Sequence, residues 1–277
     1  MPRLTILLGM AVMAAAPVFA QDGRPATYAR APGDTLRFRE ITHGSSTLEA
    51  PRGTLAISSE HDATVAITFL RGDTARAWYE ALVLAVQSPQ GDERPATAEA
   101  LRKPFVLELD GRGRVRTIST PQFPASFEGV SDLTRQFEDY FLTLPDGPLA
   151  SGTAWVDTVL RRDSTAGRLS GSSRVSHYRV LRDTVVGRQR ALVISARQEL
   201  RLEAVEPGPQ PGLTTRSVLT GADSGVYVFA PATGRLLGRA RTGKLEGTLA
   251  FEGGGQPVRI PQRFEYENSL TAVEGKP

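Results

Sequence analysis

The sequence predicts a mainly β protein whose strands form an antiparallel sheet, with one amphipathic helix near the middle of the chain. Three observations support this prediction. Most of the chain alternates apolar and polar residues, as in RVRTIS at 114–119. Residues typical of tight turns separate these runs. Residues 127–155 instead space their apolar residues by three and four and then continue into a Pro/Gly turn.

The first 20 residues are typical of an export signal. Arg3 precedes an apolar run from Leu4 to Phe19, and the residues before Gln21 fit cleavage by signal peptidase. We predict a signal peptide at 1–20 and a flexible start at 21–32. No later run is apolar enough to cross a membrane, so we expect the mature chain to be periplasmic or extracellular.

Composition excludes several kinds of chemistry. The chain has no cysteine, so thiol catalysis, disulfides and a lipid-attachment cysteine are ruled out. The 33 basic and 30 acidic residues nearly balance, which gives no indication of nucleic-acid binding. His43, His61 and His177 are too far apart in sequence for a recognisable metal motif, and the Glu60-His61-Asp62 stretch is typical of a solvated turn. We predict no metal and no cofactor.

The strands of the first half are predicted from alternation and turn signals. Arg71-Gly72-Asp73 and Asp110-Gly111-Arg112-Gly113 are hairpin signals, because glycine tolerates the positive φ of tight turns. The run from Ala75 to Val86 contains enough alanine for a helix, but its alternation favours a strand that is covered on both faces. The predicted strands are 33–41, 53–59, 63–70, 75–88, 105–110 and 114–119.

The second half repeats landmarks of the first in the same order. ALVLA at 81–85 matches ALVIS at 191–195, and FVLELDGRGRV at 105–115 aligns with VYVFAPATGRL at 226–236. A duplicated β-meander explains this order, and the alternative is that any two β-rich stretches share such turns. The further predicted strands are 173–181, 191–203, 212–220, 244–252 and 258–273, and Gly221–Gly225 is predicted as a hairpin turn. The domain prediction is one β-rich domain at 33–277, with similar halves at 33–125 and 151–277 joined by a helix-turn segment at 126–150.

The predicted helix depends on a single apolar stripe. Ser131 or Asp132 can cap its first turn, and Pro145 disfavours helical geometry at the residue before it. One apolar residue, Leu142, does not fit the stripe. The stripe consists of Leu133, Phe137, Tyr140, Phe141 and Leu144.

Catalytic motifs are missing from the sequence. It contains no G-x-S-x-G elbow, no H-E-x-x-H and no phosphate loop. A pair of carboxylates needs no motif, so a hydrolase acting on envelope polymers stays an alternative. Arg112, Arg114 and Arg116 alternate along one predicted strand and would suit either an anionic head group or a solvated surface.

The order of several short motifs resembles a family of uncharacterised secreted bacterial proteins. These are Asp110-Gly-Arg-Gly113-Arg-Val115, then the helix and Leu142-x-Leu-Pro145-Asp-Gly-Pro148, then Gly152-Thr-Ala-Trp155. That family is similar in plan to the periplasmic lipoprotein-carrier half-barrels. The resemblance implies a large curved antiparallel sheet, half-barrel-like, with a helix on its concave side, where the carriers hold acyl chains. It carries over no catalytic residues.

Three hypotheses about function follow. The first is a non-enzymatic exported protein that binds a lipid or other hydrophobic small molecule on the concave face of its sheet. The second is an envelope protein with a closed core and no ligand, which acts by contacting a protein partner. The third is the carboxylate-dependent hydrolase. The candidate ligand-binding residues are Trp78, Leu82, Leu84, Phe137, Tyr140, Phe141 and Trp155.

Overall fold

The computed structural model describes residues 25–51, 53–123, 133, 136–165, 168–208, 210, 212–253 and 255–273, so the predicted signal peptide at 1–20 lies outside the described residues. As predicted, the chain is mainly β, and its 12 strands form one antiparallel sheet. The first strands are β1 (Thr35–Ala50), β2 (Gly53–Phe69), β3 (Thr74–Ser88), β4 (Gly91–Glu93), β5 (Phe105–Leu109) and β6 (Val115–Ser119). The others are β7 (Ala154–Thr165), β8 (Arg168–Val186), β9 (Gln189–Pro207), β10 (Thr214–Ala230), β11 (Arg235–Glu252) and β12 (Val258–Ala272).

The sheet is open, and its strand order places the first and last strands of the chain side by side. The strands follow each other as β6-β5-β3-β2-β1-β12-β11-β10-β9-β8-β7, with β4 attached to β3. The first and last strands, β1 and β12, therefore pair in the middle of the sheet, and β6 and β7 form its edges. The chain between β6 and β7 has to pass from one edge to the other.

The sheet is strongly curved. A flat sheet of this many strands would be about 50 Å wide, since neighbouring strands lie about 4.8 Å apart. Yet Arg114, just before edge strand β6, donates a 2.8 Å hydrogen bond to Asp157 on edge strand β7. The two edges consequently come within reach of one arginine side chain, and the sheet has a concave inner face.

A bulge in β3 determines which of its side chains face inward. The run 75–86 is a strand, as the alternation predicts. Its register with β2 shifts where Val65 pairs with Tyr79 and Thr64 with Ala81, so that one residue of β3 is unmatched. As a result Tyr79 and Leu82 are buried on the inner face, whereas Trp78 lies on the outer face.

The predicted central helix is wrong for the described residues. Of the range 126–150, residues 126–132 and 134–135 lie outside the description. The rest contains one turn of 3-10 helix, Gln136–Asp139, and no α-helix. A second 3-10 turn, Ala98–Ala100, lies between β4 and β5. We call residues 136–150 the central segment; it lies between the edge strands against the inner face.

The central segment is not helical where its residues are buried consecutively, from Tyr140 to Leu144. An amphipathic helix leaves one face to water, whereas Leu142, Thr143 and Leu144 are buried consecutively. Their backbone groups find partners outside the segment: Leu144 N–H donates to the Arg112 carbonyl at 2.8 Å. The indole of Trp155 donates to the Thr143 carbonyl at 2.7 Å. These contacts replace the internal hydrogen bonds that a helix would have supplied.

The described part of the predicted flexible start, residues 25–32, is packed rather than free. Tyr28 is buried, and its ring lies edge-on to Phe141 at 5.1 Å and to Phe229 at 5.3 Å. The backbone N–H of Tyr28 donates to Gly111, and that of Ala29 donates to Gly234. These two acceptors belong to the turns of the hairpins β5–β6 and β10–β11, which are the two stretches that align in the sequence. The duplication itself stays a prediction.

The apolar core occupies only one end of the long strands. It includes Phe38 and Ile67 near one end of β1 and β2, together with Phe229 near the corresponding end of β10. We call this part of the sheet, with the central segment and residues 25–32, the filled end. The remaining inner face, from residues 44–50 of β1 across to residues 200–206 of β9, is the open half.

Candidate functional site

Most of the candidate residues from the sequence lie together, but in a packed core. Leu82, Leu84, Phe137, Tyr140 and Phe141 are all at most 5% exposed and belong to one apolar cluster. Trp155 is partly buried against that cluster and stacks on Tyr178, with ring centroids 5.1 Å apart. Trp78 is the exception, because the bulge turns it to the outer face.

Phe137 shows how completely the filled end is packed. Its ring lies 4.7 Å from that of Phe105, 5.6 Å from that of Tyr79 and 5.1 Å from that of Tyr140, measured between centroids. The central segment thus occupies the part of the concave face that the sequence suggested for a ligand. A ligand at these residues would have to displace the central segment.

Charged and polar side chains line the inner face between the filled end and the open half. We call this set the polar layer. Each of its carboxylates has an arginine within ion-pair distance, which is the arrangement that buried charges require. The pairs are Glu40–Arg239, Glu138–Arg161, Asp139–Arg174, Asp157–Arg114 and Asp223–Arg241.

Glu40 is the acceptor for several elements at once. Gln136 donates to its Oε2 at 2.7 Å and Asn268 to its Oε1 at 2.8 Å. The Tyr140 hydroxyl also donates to Oε2. Burial raises the pKa of Tyr140, and the Glu40 carboxylate raises it further, so the hydroxyl keeps its proton. Glu40 therefore fixes the central segment to β1 and β12.

His61 lies in the middle of β2 and is buried, so the predicted solvated turn is wrong. Burial lowers the pKa of His61, although Glu40 and Asp62 act in the opposite direction. The neutral ring can then accept a hydrogen bond from Gln136 Nε2, which lies 3.0 Å from His61 Nε2. Tyr79 completes this group by donating to Gln136 Oε1 at 2.8 Å.

Asp139 and Glu138 attach the central segment to β7 and β8. Asp139 accepts from Arg174 and lies 3.5 Å from Arg161, while Arg161 Nε is 3.0 Å from Glu138. Burial disfavours the charged form of Asp139, but the guanidinium groups of Arg174 and Arg161 outweigh it and hold the pKa of that carboxyl well below its usual range. Asp139 is thus an anion at neutral pH, held by arginines.

Asp223 forms a second buried group on β10, in the stretch that was predicted as a hairpin turn and is the middle of a strand. Arg241 and the Tyr266 hydroxyl both donate to its Oδ2. Its Oδ1 and Gln198 Oε1 have no partner, although Gln198 is directly opposite in register. Gln198 Nε2 donates to the Ser176 hydroxyl at 3.0 Å, so the amide oxygen is the end of this side chain that lacks a partner.

The polar layer consequently has the character of a closed network rather than a reactive site. Its carboxylates are engaged by arginines, so none of those named above is presented to a cleft as a free acid or base. Among the described residues, no group of three or more histidine, aspartate and glutamate side chains is placed to hold a metal ion. The layer joins the central segment to both walls of the sheet.

Beyond the polar layer, apolar side chains recur in successive cross-strand rows on the inner face of the open half. Ser46, Ser217 and Gln262 interrupt these rows, and Ser217 donates to Gln262 at 3.2 Å. The apolar side chains lie outside the apolar core of the filled end, and most of them stay partly exposed. The registers place Leu249 beside Ile260 and Leu202 beside Leu219. The apolar members are Leu48, Leu55, Ile57, Leu200, Leu202, Leu219, Leu245, Leu249, Phe251, Ile260 and Phe264.

The outer face carries a groove of about 800 Å³ across β9 to β12 and β1. Most of the residues that line it have polar or charged side chains, and Lys244 and Glu265 form a 2.8 Å ion pair inside it. Ser224 and Thr242 are neighbours in register at its centre. Asp223 is among the residues that line this groove, and its Oδ1 is buried without a hydrogen-bond partner. The groove therefore offers a ligand a polar contact, whereas the open half offers apolar ones.

Comparison with known proteins assigns the chain to no family. No family model matches it, and no curated protein matches it. Among solved structures, OmpT, an outer membrane protein of Vibrio cholerae folded in vitro, is 10% identical with a TM-score of 0.19, covering 87% of this chain and 98% of that chain. Its loop L8 deletion mutant is 10% identical with a TM-score of 0.15, covering 88% and 100%. Scores this low establish no common fold and carry no functional argument.

Sequence reasoning found the core residues but missed the polar layer and the apolar rows of the open half. Alternation of Leu and polar residues does signal an apolar face, as in KLEGTLAFE at 244–252. It does not distinguish a face covered by another segment from one that is uncovered. Within the described ranges, no helix has the length and apolar character needed to cross a membrane.

Proposed function

We propose that this chain is a non-enzymatic exported protein that binds a hydrophobic ligand, of the acyl-chain type, on the inner face of the open half. The observation that carries the proposal is the set of apolar rows beyond the polar layer. Their side chains recur on six neighbouring strands, β2, β1, β12, β11, β10 and β9, with Ser46, Ser217 and Gln262 between them. A concave, mainly apolar surface of this kind is the usual setting of a small-molecule site.

The shape of the sheet supports a long flexible ligand rather than a compact one. The strands of the open half continue those of the filled end, and the polar layer closes the apolar surface on that side. An acyl chain is apolar along its whole length and can follow such a surface, with burial worth about 0.8 kcal/mol per CH₂. The head group would then lie toward the free ends of the strands.

Two observations favour a binding role over catalysis. The carboxylates of the polar layer are neutralised by arginines, which is the state of structural charges. The sequence has no nucleophile motif to replace them. Export is proposed from the signal peptide predicted at 1–20.

An envelope protein with a closed core is the second candidate, and the packing of the filled end favours it. There the central segment takes the place of a ligand, and Tyr140 and Phe137 are fully buried. In that case the open half would contact a protein partner instead of a lipid.

Native mass spectrometry and uptake of a fluorescent fatty acid by the chain beginning at Gln21 separate the two candidates. We expect a bound fatty acid, and an affinity about tenfold lower, or about 1.4 kcal/mol, in Leu249→Lys, which places a charge on the apolar rows. Thr248→Lys is the matched control. Thr248 precedes Leu249 on β11, but its side chain points outward and is exposed. Fatty acid binding that is absent, or equally weakened by both variants, would reject the ligand.

A further inference from the structure

The outer face of the β7 edge has an unusual number of exposed apolar side chains. Leu160 on β7 is 77% exposed and Val156 is 57% exposed. Leu169 on β8 is 41% exposed. Register and alternation place all three on the outer face, opposite to the polar layer. They occupy every second outward row of the β7–β8 pair, at β7 positions 156, 160 and 164 in register. A partner that covers them would remove their apolar surface from water, which is favourable.

Arginines accompany these apolar side chains on the same face. Arg162, Arg179, Arg182 and Arg197 are exposed, and within the described ranges none of them makes an ion pair. Acidic residues are fewer on this face. Glu203 forms a 2.6 Å ion pair with Arg216, so Glu199 is the remaining carboxylate. We call the three apolar side chains and these four arginines the basic face.

The two kinds of side chain are mixed on the two outermost strands, and one arginine lies further in. Arg162 shares β7 with Val156 and Leu160, Arg179 and Arg182 share β8 with Leu169, and Arg197 is on β9. In one cross-strand row Val156 is followed by His177 and then by Arg197. Two strand spacings amount to about 10 Å, comparable with the depth over which interfacial segments enter the boundary between head groups and acyl chains.

We propose that the basic face docks on an anionic phospholipid membrane, with Leu160 and Val156 entering the head-group boundary and the arginines binding lipid phosphates. Guanidinium groups suit phosphate oxygens because they donate in a fork. Apolar side chains at the leading edge fit a bilayer better than a nucleic acid, whose backbone would meet them with phosphate. The proposal goes beyond ligand binding and does not depend on it, since the two surfaces are on opposite faces of the sheet.

The test is flotation of the chain beginning at Gln21 with vesicles of phosphatidylcholine alone or mixed with phosphatidylglycerol. We expect binding only to the mixed vesicles, weakened by salt. The double variant Arg179→Glu with Arg197→Glu should bind at least about 30-fold more weakly, because each cation near an anionic surface contributes about fivefold. Leu160→Ser should weaken binding without changing its dependence on salt, because it removes apolar surface and leaves the charge unchanged.

The matched control is Arg76→Glu with Arg259→Glu. These two arginines are exposed on β3 and β12, away from the basic face, and the charge change is the same. Equal weakening by both double variants would mean that only net charge acts, and the basic face would be rejected. Equal binding to neutral vesicles would also overturn the proposal. Tighter binding to a DNA duplex that is insensitive to Leu160→Ser would also overturn the proposal, because it would assign a nucleic-acid surface.

Discussion

The filled end and the open half are made from the same strands with the same alternation, yet only one of them has a core. At the filled end, the inward side chains of β1 and β2 meet Phe137 and Tyr140 of the central segment and are fully buried. In the open half, the inward side chains of these strands are only partly covered. The comparison teaches that alternation specifies which face is apolar, whereas the segment that crosses the sheet determines where that face becomes a core.

The largest expected difference between the two regions is the response to removing an aromatic ring. Phe137→Ala should lower the free energy of unfolding by about 3–5 kcal/mol, because it leaves a cavity among Tyr79, Phe105 and Tyr140. Phe264→Ala in the open half should lower it by about 1 kcal/mol, since that ring is already partly exposed. Urea unfolding measures both values. Similar losses would contradict the distinction between a core and an uncovered face.

A second variant tests how residues 25–32 close the filled end. A Cβ on Gly113 would lie 2.3 Å from the Tyr28 ring and 2.6 Å from the Leu142 carbonyl oxygen. Gly187 is the control, because it also has positive φ but has open space around it. Both alanine variants carry a backbone penalty of about 1–2 kcal/mol. Gly113→Ala should lose a further amount of about 1–2 kcal/mol, because the added carbon displaces Tyr28.

Limited proteolysis distinguishes the mechanism of that loss. Displacement of Tyr28 should make residues 25–32 of Gly113→Ala open to cleavage, while Gly187→Ala keeps them protected. Equal stability and equal protection in the two variants would mean that the N-terminal residues do not contribute to the filled end.

The smallest expected effect concerns the polar layer at mildly acidic pH. The folded-state pKa of His61 is lowered by burial, so the unfolded chain takes up the proton first as the pH falls below about 6.5. The stabilising contribution is present above that pH and is lost as the pH falls through the lower folded-state pKa. His61→Gln should reduce the loss of stability in this range, as measured by unfolding at several pH values.

His177→Gln is the control for this measurement, because His177 is exposed on the outer face. The lowered pKa of Asp139 adds a separate loss of stability below about pH 4, and both variants should retain it. If the stability of His61→Gln depended on pH in the same way as that of His177→Gln, the buried imidazole would not be the group that causes the loss of stability at mildly acidic pH.

The strands whose inward-facing side chains are apolar could be predicted from the sequence. The strand at 75–88 is predicted correctly, because leucine and alanine alternate through it. The sequence did not predict the strands correctly where polar residues face inward. Glu60-His61-Asp62 and Gly221–Gly225 have the composition of turns, but His61 and Asp223 point to partners on distant elements. Local composition cannot distinguish a polar side chain that meets water from one that meets a buried charge.

For related reasons, the sequence did not show that most of the candidate ligand-binding residues lie in a packed core. The stripe of Phe137, Tyr140 and Leu144 suggested a helix with one wet face, but Leu142 is also fully buried, because the segment has walls on both sides. Regular alternation along β3 would place Trp78 on the same face as Leu82 and Leu84, where the groove was predicted. The bulge shifts the alternation by one residue, so Trp78 lies on the opposite face. A bulge is set by pairing with another strand and leaves little trace in the sequence of one strand.

The pairing of β1 with β12 has a consequence for the time course of folding. Hydrogen bonds in the centre of the sheet join residues near Thr35 to residues near Ala272, so this contact closes almost the entire chain. Neighbouring hairpins can form early, but the joint between the two groups of strands waits for the last strand to be synthesised. A chain with the predicted signal peptide would thus remain incomplete, and open to threading, until its final residues had followed the rest through the export channel.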